Sequence, residues 1–308
     1  MASSIGLRPK KSVHRAVLLN ETIEGLNLDN RSLVLDCTFG GGGHSREILK
    51  RYPKIKIIAL DQDWNVFKNI SDKRISFKNI NFRNLDEALN GRKVNAIIFD
   101  LGLSSDQLES SGRGFSFMKN EPLLMTMKEP ARRSLGAGGN PSEYLLTALD
   151  IVNDWSEKSL ADIIYGYGQE KFSRKIARAI VQARKKQKIE TTGDLVKIIE
   201  NSVPAAHKRG RLHFATKTFQ ALRIAVNDEL GALQTGLGKG FDVLRKRGRM
   251  SVISFQSLED RIVKRFYKQK QKEGRAILIN KKPITAKEEE IKNNPRSRSA
   301  KLRILEKI

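Results

Sequence analysis

The segment Leu33-Val-Leu-Asp-Cys-Thr-Phe-Gly-Gly-Gly-Gly-His-Ser45, with Ile57-Ile-Ala-Leu-Asp-Gln-Asp63 behind it, narrows the possible folds more than any other part of the chain. A short apolar run ends in Asp36, four glycines follow, a helix-forming stretch intervenes, and a second apolar run closes on acids. That order reads as strand, glycine turn, helix, strand, carboxylate. An α/β sheet uses it to bring a ligand to the carboxyl ends of parallel strands. Apolar runs at Leu33–Leu35, Ile55–Leu60, Ile75–Phe77 and Val94–Phe99 alternate with helical patterns. The first third therefore predicts a Rossmann-like α/β fold, a mostly parallel twisted sheet with helices on both faces. Asp36, Asp61 and Asp100 each close a strand, so all three are expected on one rim.

The glycines discriminate between ligands. A dinucleotide fingerprint, G-x-G-x-x-G, uses its third glycine for close helix–strand packing and turns the helix N-terminus to pyrophosphate. Gly40 and Gly42 fit the first two positions, but the third is Ser45. Consecutive glycines leave an open floor for a ligand without phosphate, which suits S-adenosylmethionine (SAM), a methyl donor. Asp61, about 20 residues on, is placed to accept from ribose hydroxyls. Phe82, just past the third strand, is placed to pack on adenine, and His44 to bond the methionyl carboxylate or cap the following helix.

Asp100-Leu-Gly-Leu-Ser-Ser-Asp-Gln107 follows the fourth strand beside the same rim. DNA amino-methyltransferases often carry Asp/Asn/Ser-Pro-Pro-aromatic there, and this chain lacks the prolines and the aromatic. Asp100 can still accept a hydrogen bond from an exocyclic amine, which makes it the candidate catalytic residue, or hold the methionyl amine. Gln107 can orient base or cofactor. A target base has to leave its stack to reach such a rim, and Phe39, Phe115 and Phe117 are candidate stacking surfaces.

Lys and Arg outnumber Asp and Glu 58 to 34, a formal charge of +24. Self-repulsion of that size suits a polyanionic partner, nucleic acid first and an anionic membrane surface second. No apolar run is long enough to span a bilayer and no secretory signal is visible. The single cysteine, Cys37, excludes an internal disulfide and a cysteine-based zinc site and fits a reducing cytoplasm. His14, His207 and His213 show no metal-ligand spacing with carboxylates, so no metal is expected.

From about Ser104 to His213 no strand pattern appears, and Arg132 to Ser142 has the composition of a loop. Gln169 to Lys188 reads as an amphipathic helix with Phe172, Ile176, Ala179, Ile180 and Ala183 on its apolar face. Its basic face of Lys171, Arg174, Lys175, Arg178 and Lys185 lacks interspersed acids, as a phosphate-contacting surface does. Thr218 to Leu237 reads as one helix. Arg249–Phe255 reads as a strand preceded by a turn at Arg247-Gly248, and Ala276–Ile279 with Leu302–Leu305 as a terminal pair. Lys287 to Arg298 is expected as a loop or tail against something anionic. The division predicted is 1–103 for the first part of a SAM-binding domain, 104–213 for an inserted helical substrate-binding domain, and 214–308 for the sheet's remainder with a basic tail.

In this order the blocks resemble the bacterial 16S rRNA (cytosine-N4)-methyltransferase family, RsmH or MraW. The resemblance runs from His14 almost to the C-terminus. It rests on Thr38-Phe-Gly-Gly-Gly-Gly-His-Ser45, Asp100-Leu-Gly-Leu-Ser-Ser105 with Gln107, Arg113-Gly-Phe-Ser-Phe117, Tyr167-Gly-Gln-Glu-Lys-Phe172 and the long block Thr218 to Leu230. It implies a class I SAM-dependent methyltransferase fold and N4-methylation of a decoding-centre cytosine in small-subunit rRNA. The partner implied is 16S rRNA within the small ribosomal subunit, and monomer and homodimer both stay open. SAM contacts carry over to Gly42, Gly43, His44, Asp61, Phe82, Asp100 and Gln107. The chain departs from the family pattern at Leu124 and Thr126, where Asp and Arg are usual, and at Gln256, where His is usual. Two other readings stand beside it: an RNA-binding assembly factor without methyl transfer, and a nicotinamide-dependent oxidoreductase, which Ser45 and the charge disfavour.

Overall fold

The computed structural model describes residues 16–68, 71–104, 107–108, 111–128, 145–210 and 212–308. His14, Ser105 and the loop expected at Arg132–Ser142 lie outside the described residues. Seven strands form one sheet: β1 (Leu33–Asp36), β2 (Lys56–Leu60), β3 (Ile75–Lys78), β4 (Val94–Asp100), β5 (Leu244–Ser254), β6 (Ala276–Leu278) and β7 (Lys301–Lys307). Their order is β3-β2-β1-β4-β5-β7-β6, and only β7 runs against the rest. The expected α/β class and its four early strands are present.

The strands read as unbroken apolar runs because both faces of the sheet are covered. Val34, Ile57, Ala96 and Ile98 pack into one layer with Phe39 and Ile48. Leu35, Ile58, Ile97 and Phe99 pack into the other with Leu233, Leu237 and Phe241. From β1 the chain steps outward to β2 and β3, then returns across β1 to β4. Loops leaving β1 and β4 diverge at that reversal and open a crevice at the carboxyl end of the sheet.

The predicted helix from Thr218 to Leu237 is two helices, Thr216–Asn227 and Glu229–Val243, broken at Asp228. Asp228 adopts a left-handed conformation, φ 44°. The break follows from packing. Phe219 and Leu222 are buried in a separate helical cluster with Ile176, Ile180 and Leu195, whereas Leu233 and Leu237 belong to the sheet layer. A single straight helix could not aim one apolar stripe into both cores. The chain changes cores at Asp228.

Three further expectations are corrected. Arg247-Gly248 is no turn before a strand but lies inside β5, where Arg247 has φ 61° and the pairing with β4 shifts register opposite Val94–Ala96. Two steps along β4 face five along β5, and the three extra residues are taken up as an irregularity in the pairing. The helix expected from Gln169 starts later, at Ser173, and ends at Arg184. Gln169 has φ 52°, and the buried Glu170 carboxylate accepts from the Phe172 amide at 2.9 Å, which holds a turn there. Lys287 to Arg298 is packed structure, with a helix at Glu288–Asn293 and a 3-10 turn at Pro295–Ser299. Glu290 Oε1 accepts from the Leu18 amide at 2.8 Å, and the chain ends in the paired strand β7 rather than a tail.

Two cores make a local prediction. Leu222→Ala and Leu237→Ala each remove a fully buried side chain and are expected to cost about 2–5 kcal/mol in denaturant unfolding. Hydrogen exchange should localise the loss, Leu222→Ala loosening Ser173–Arg184 and Thr192–Ser202 first, Leu237→Ala loosening β4 and β5. Equal loosening everywhere from both variants would show one cooperative core instead.

Candidate active site

The carboxyl ends of β2, β1, β4 and β5 open on a cavity of about 680 Å³. Gly43, His44, Asp61, Phe82, Asp100 and Gln107 all line it, as does Gly40. Gly42 does not. It lies behind the floor as N-cap of the helix Gly43–Arg51, with φ 70° and its amide donating to the Phe39 carbonyl at 2.7 Å. A Cβ on Gly42 would stand 2.6 Å from the Phe39 ring, so glycine there lets the turn close.

Of the three strand-end acids, Asp61 and Asp100 face the cavity, and Asp36 is buried beneath it. Asp36 accepts from Ser45 Oγ at 2.6 Å and from the Thr38 amide at 3.2 Å. Ser45, which breaks the dinucleotide fingerprint, therefore ties the helix to the end of β1. Asp61 accepts from the Gly40 amide at 2.8 Å and the Asp63 amide at 2.9 Å. Burial pushes its carboxyl up to about 6, partly opposed by those two amides.

The Asp100 amide donates to Thr38 Oγ1 at 2.6 Å, which joins β4 to the glycine turn. Its Oδ2 stands 3.8 Å from His44 Nδ1. His44 is buried, and its Nε2 donates to the Val17 carbonyl at 3.1 Å. Burial also holds its pKa below the usual histidine value, favouring the neutral ring. A neutral ring that donates through Nε2 keeps a lone pair on Nδ1. An acceptor nitrogen beside a carboxylate suits a cationic N–H donor such as the methionyl ammonium of SAM. His44 thus neither caps the helix nor offers the cavity a donor for a carboxylate.

Phe82 meets Phe99 edge-on at 5.4 Å and is backed by Gly236, where a Cβ would lie 2.8 Å from its ring. Gln107 exchanges bonds with Ser104, Oε1 accepting at 3.0 Å and its backbone amide donating at 3.1 Å, which leaves Nε2 for a ligand. These donors, acceptors and the flat ring fit SAM from adenine to ammonium. The other aromatic candidates are engaged in packing, although Phe39 also lines the cavity. Phe39 is core between Phe67 and Phe77, Phe115 is buried in the helical cluster, and Phe117 stacks on His213 at 4.4 Å. Among the described residues no group of His, Cys, Asp and Glu could hold a metal ion.

Sequence reasoning missed the far wall, where Gln220, Arg223, Gln256 and Glu259 line the cavity. The signal was present. Gln220, Arg223 and Asn227 recur at i, i+3 and i+7, a polar stripe beside the apolar one. Also missed was a buried ion pair at 2.6 Å between Arg113 and Asp63. Arg113 donates as well to the carbonyls of Thr126 and Met127, at 3.1 and 2.9 Å, so it pins the helical insertion to the loop after β2. Leu124 and Thr126, the departures from the family pattern, do not line the cavity, although Met127 does.

A seven-stranded sheet of this order, a glycine turn after β1 and a carboxylate at the end of β2 define a class I SAM-dependent methyltransferase. The model of the MraW methylase family matches residues 11–308, and the chain belongs to that family. It is 44% identical over 319 residues to Ribosomal RNA small subunit methyltransferase H of Clostridium botulinum, covering 96% of this chain and 99% of that protein. It is 42% identical over 304 residues to the protein of the same name from Persephonella marina, with 96% and 99% covered. A solved rRNA methylase from Streptococcus thermophilus aligns over 94% of this chain and 93% of its own at 10% identity, with a TM-score of 0.41, a likeness too remote to bear on function.

Two measurements test the site. If Asp61 holds the ribose hydroxyls it does so as the carboxylate, and SAM affinity should then be level above pH 7 and fall as pH drops through about 6. The loss should reach roughly tenfold at pH 5 by calorimetry, and Asp61→Asn should remove this dependence. A wild-type profile flat down to pH 5 would take Asp61 away from the ribose. Arg113→Ala strands the buried Asp63 carboxylate and is expected to cost about 3–5 kcal/mol in equilibrium unfolding.

Proposed function

We propose that the protein transfers a methyl group from SAM to N4 of a flipped-out cytosine in the decoding centre of small-subunit (16S) rRNA, in the cytoplasm. One observation carries this reading: relatives named for methylation of small-subunit rRNA align with nearly the whole chain at 42–44% identity. Two basic helix faces support an RNA partner. Ser173–Arg184 exposes Arg174, Lys175 and Arg178, and Ser257–Lys272 exposes Arg261, Lys264, Arg265 and Lys268. Ser257 Oγ donates to Gln169 Oε1 at 2.9 Å, so the turn before the first helix touches the start of the second, beside Gln256 on the cavity wall. Phosphates held on those faces would position a strand whose base enters the cavity. Among the described residues no helix is long and apolar enough to cross a membrane.

SAM supplies a methyl group already activated on a sulfonium. The work left to this chain is alignment and proton acceptance, because the N4 lone pair of cytosine is delocalised into the ring. Gly43 gives the floor, Asp61 holds the ribose, Phe82 backs the adenine, and Gln107 Nε2 orients cofactor or base. Gly42 contributes the turn that places them. Asp100 accepts from the amine, taking the proton that leaves nitrogen as the new N–C bond forms and the methyl's bond to sulfur breaks with its electron pair left on sulfur, or it holds the methionyl ammonium with His44. Substrate binding belongs to the helical cluster, entered at about 104. Its end is better placed at Asp228 than at 213, since Phe219 and Leu222 pack within it.

Labelled SAM incubated with immature small subunits should mark one cytosine, located by mass spectrometry. Asp100→Ala should lower kcat/KM by about 10²–10⁴-fold. If Asp100 serves the amine, SAM affinity stays within threefold; if it serves the ammonium, affinity falls as well. Tight SAM binding with no label on any RNA would leave an assembly factor, and preferential binding of NADH would sink the methyltransferase reading.

A further inference from the structure

The rim runs from Asp61 after β2, past β1 and β4, to Gln256 just beyond β5. Three inter-strand steps of this kind span about 14 Å. A cofactor held by its ribose at β2 and its ammonium near β4 leaves the β5 side for the group that receives the methyl. Gln220 and Arg223 stand on that side, three apart on one face of the helix Thr216–Asn227.

Their polar atoms are oriented by their neighbours. Gln220 Nε2 is 3.0 Å from the Tyr167 carbonyl and 2.7 Å from Gln256 Oε1. A backbone carbonyl only accepts, so the Gln220 nitrogen must face it. Gln256 in turn donates through Nε2 to Glu259 Oε1 at 2.8 Å, and Glu259 Oε2 accepts from the Phe255 and Gln256 amides. Both amide hydrogens of Gln220 are thus committed, and its oxygen is the atom left for a ligand. Arg223 forks onto Glu229 through Nε and Nη2 at 2.7 and 2.9 Å, which leaves Nη1 to donate. Glu229 neutralises Arg223, and the nearby Glu259 is a further acid. This wall carries no surplus positive charge for a phosphate. It suits a neutral heterocycle with an N–H donor beside a ring acceptor.

Resting on the cytosine-N4 reading, we infer that Gln220 and Arg223 read the Watson–Crick edge of the target base. Gln220 Oε1 accepts from the N4 amine, and Arg223 Nη1 donates to N3 or O2. The two hydrogens of the amine then have two acceptors in the cavity, Asp100 and Gln220. Uracil would set its O4 carbonyl against Gln220 Oε1, two acceptors facing with no proton between them, and would be rejected. Gln256 and Glu259 are positioning residues that act through Gln220.

The test uses the full chain, labelled SAM and small subunits. Gln220→Leu removes the acceptor, and Arg223→Lys keeps the charge opposite Glu229 while losing the fork. Each should lower kcat/KM for the subunit about 10–100-fold, with SAM affinity and melting temperature close to wild type. Methyl transfer unchanged within twofold in both variants overturns the assignment. So does SAM affinity that falls in parallel with transfer, because the residues would then serve cofactor or fold. If Gln220→Leu does not fold, Arg223→Lys decides alone. Wild-type protein that labels no cytosine overturns the underlying reading instead, and that measurement comes before any variant.

Discussion

The end of β1 is held by hydrogen bonds that saturate around two side chains, Asp36 and Thr38. The buried Asp36 carboxylate takes the Ser45 hydroxyl and the Thr38 amide, while the Thr38 hydroxyl takes the Asp100 amide from β4. These bonds lie where sheet order reverses and the backbone would otherwise splay. They fix the start of the helix Gly43–Arg51, the glycine floor and the position of Asp100 relative to one another. The rest of the cavity is referenced to that corner. Asp61 reaches it through the Gly40 amide, and His44 faces Asp100 across 3.8 Å because the helix that carries it is tied down at Ser45.

A second constraint joins two cores that share one chain. On its C-terminal side the helical cluster meets the sheet domain at the single residue Asp228. Arg113 crosses from it to Asp63 after β2, and within the cluster Asn227 exchanges bonds with Met125 and Met127 at 2.8 Å each, which fixes the segment that carries Arg113's acceptors. The Arg113–Asp63 pair places charged groups between the cores where apolar contact would have sufficed. Buried ionic links of this type add little net stability, but they penalise every misplacement strongly. That property suits a cavity whose two walls come from different cores and must meet at hydrogen-bond tolerance.

The sheet, its rim and one wall of the cavity were legible in the sequence because strand-end acids and consecutive glycines have few alternative uses. Asp61, Asp100, Phe82 and Gln107 were each visible from their place after a strand. The opposite wall was not. Gln220, Arg223, Gln256 and Glu259 come from two helices far apart in the chain, and only packing against the sheet brings them together. The Asp228 break was hidden for a related reason: its stripe of apolar residues continues through the left-handed residue, so periodicity alone joins two helices that serve different cores. Gly42 shows the converse. Its sequence setting marked it as a ligand contact, whereas Phe39 behind it explains the glycine sterically.

Gln256 gives the departure from the family pattern a physical meaning. The site asks position 256 for an acceptor toward Gln220 and a donor toward Glu259. A neutral imidazole offers one of each on its two nitrogens, and a carboxamide offers the same pair. Gln256 therefore preserves the polarity that holds Gln220, and it removes a group able to take up a proton. Protonated, an imidazole there would become a donor on both sides and turn Gln220 around, presenting NH₂ where the oxygen now stands. In this chain the burial that pushes Glu259 up to about 7 leaves that carboxyl as the remaining proton-sensitive member of the chain of bonds. The arrangement around Gln220 is accordingly set by fixed amides on one side and by the charge on Glu259 on the other.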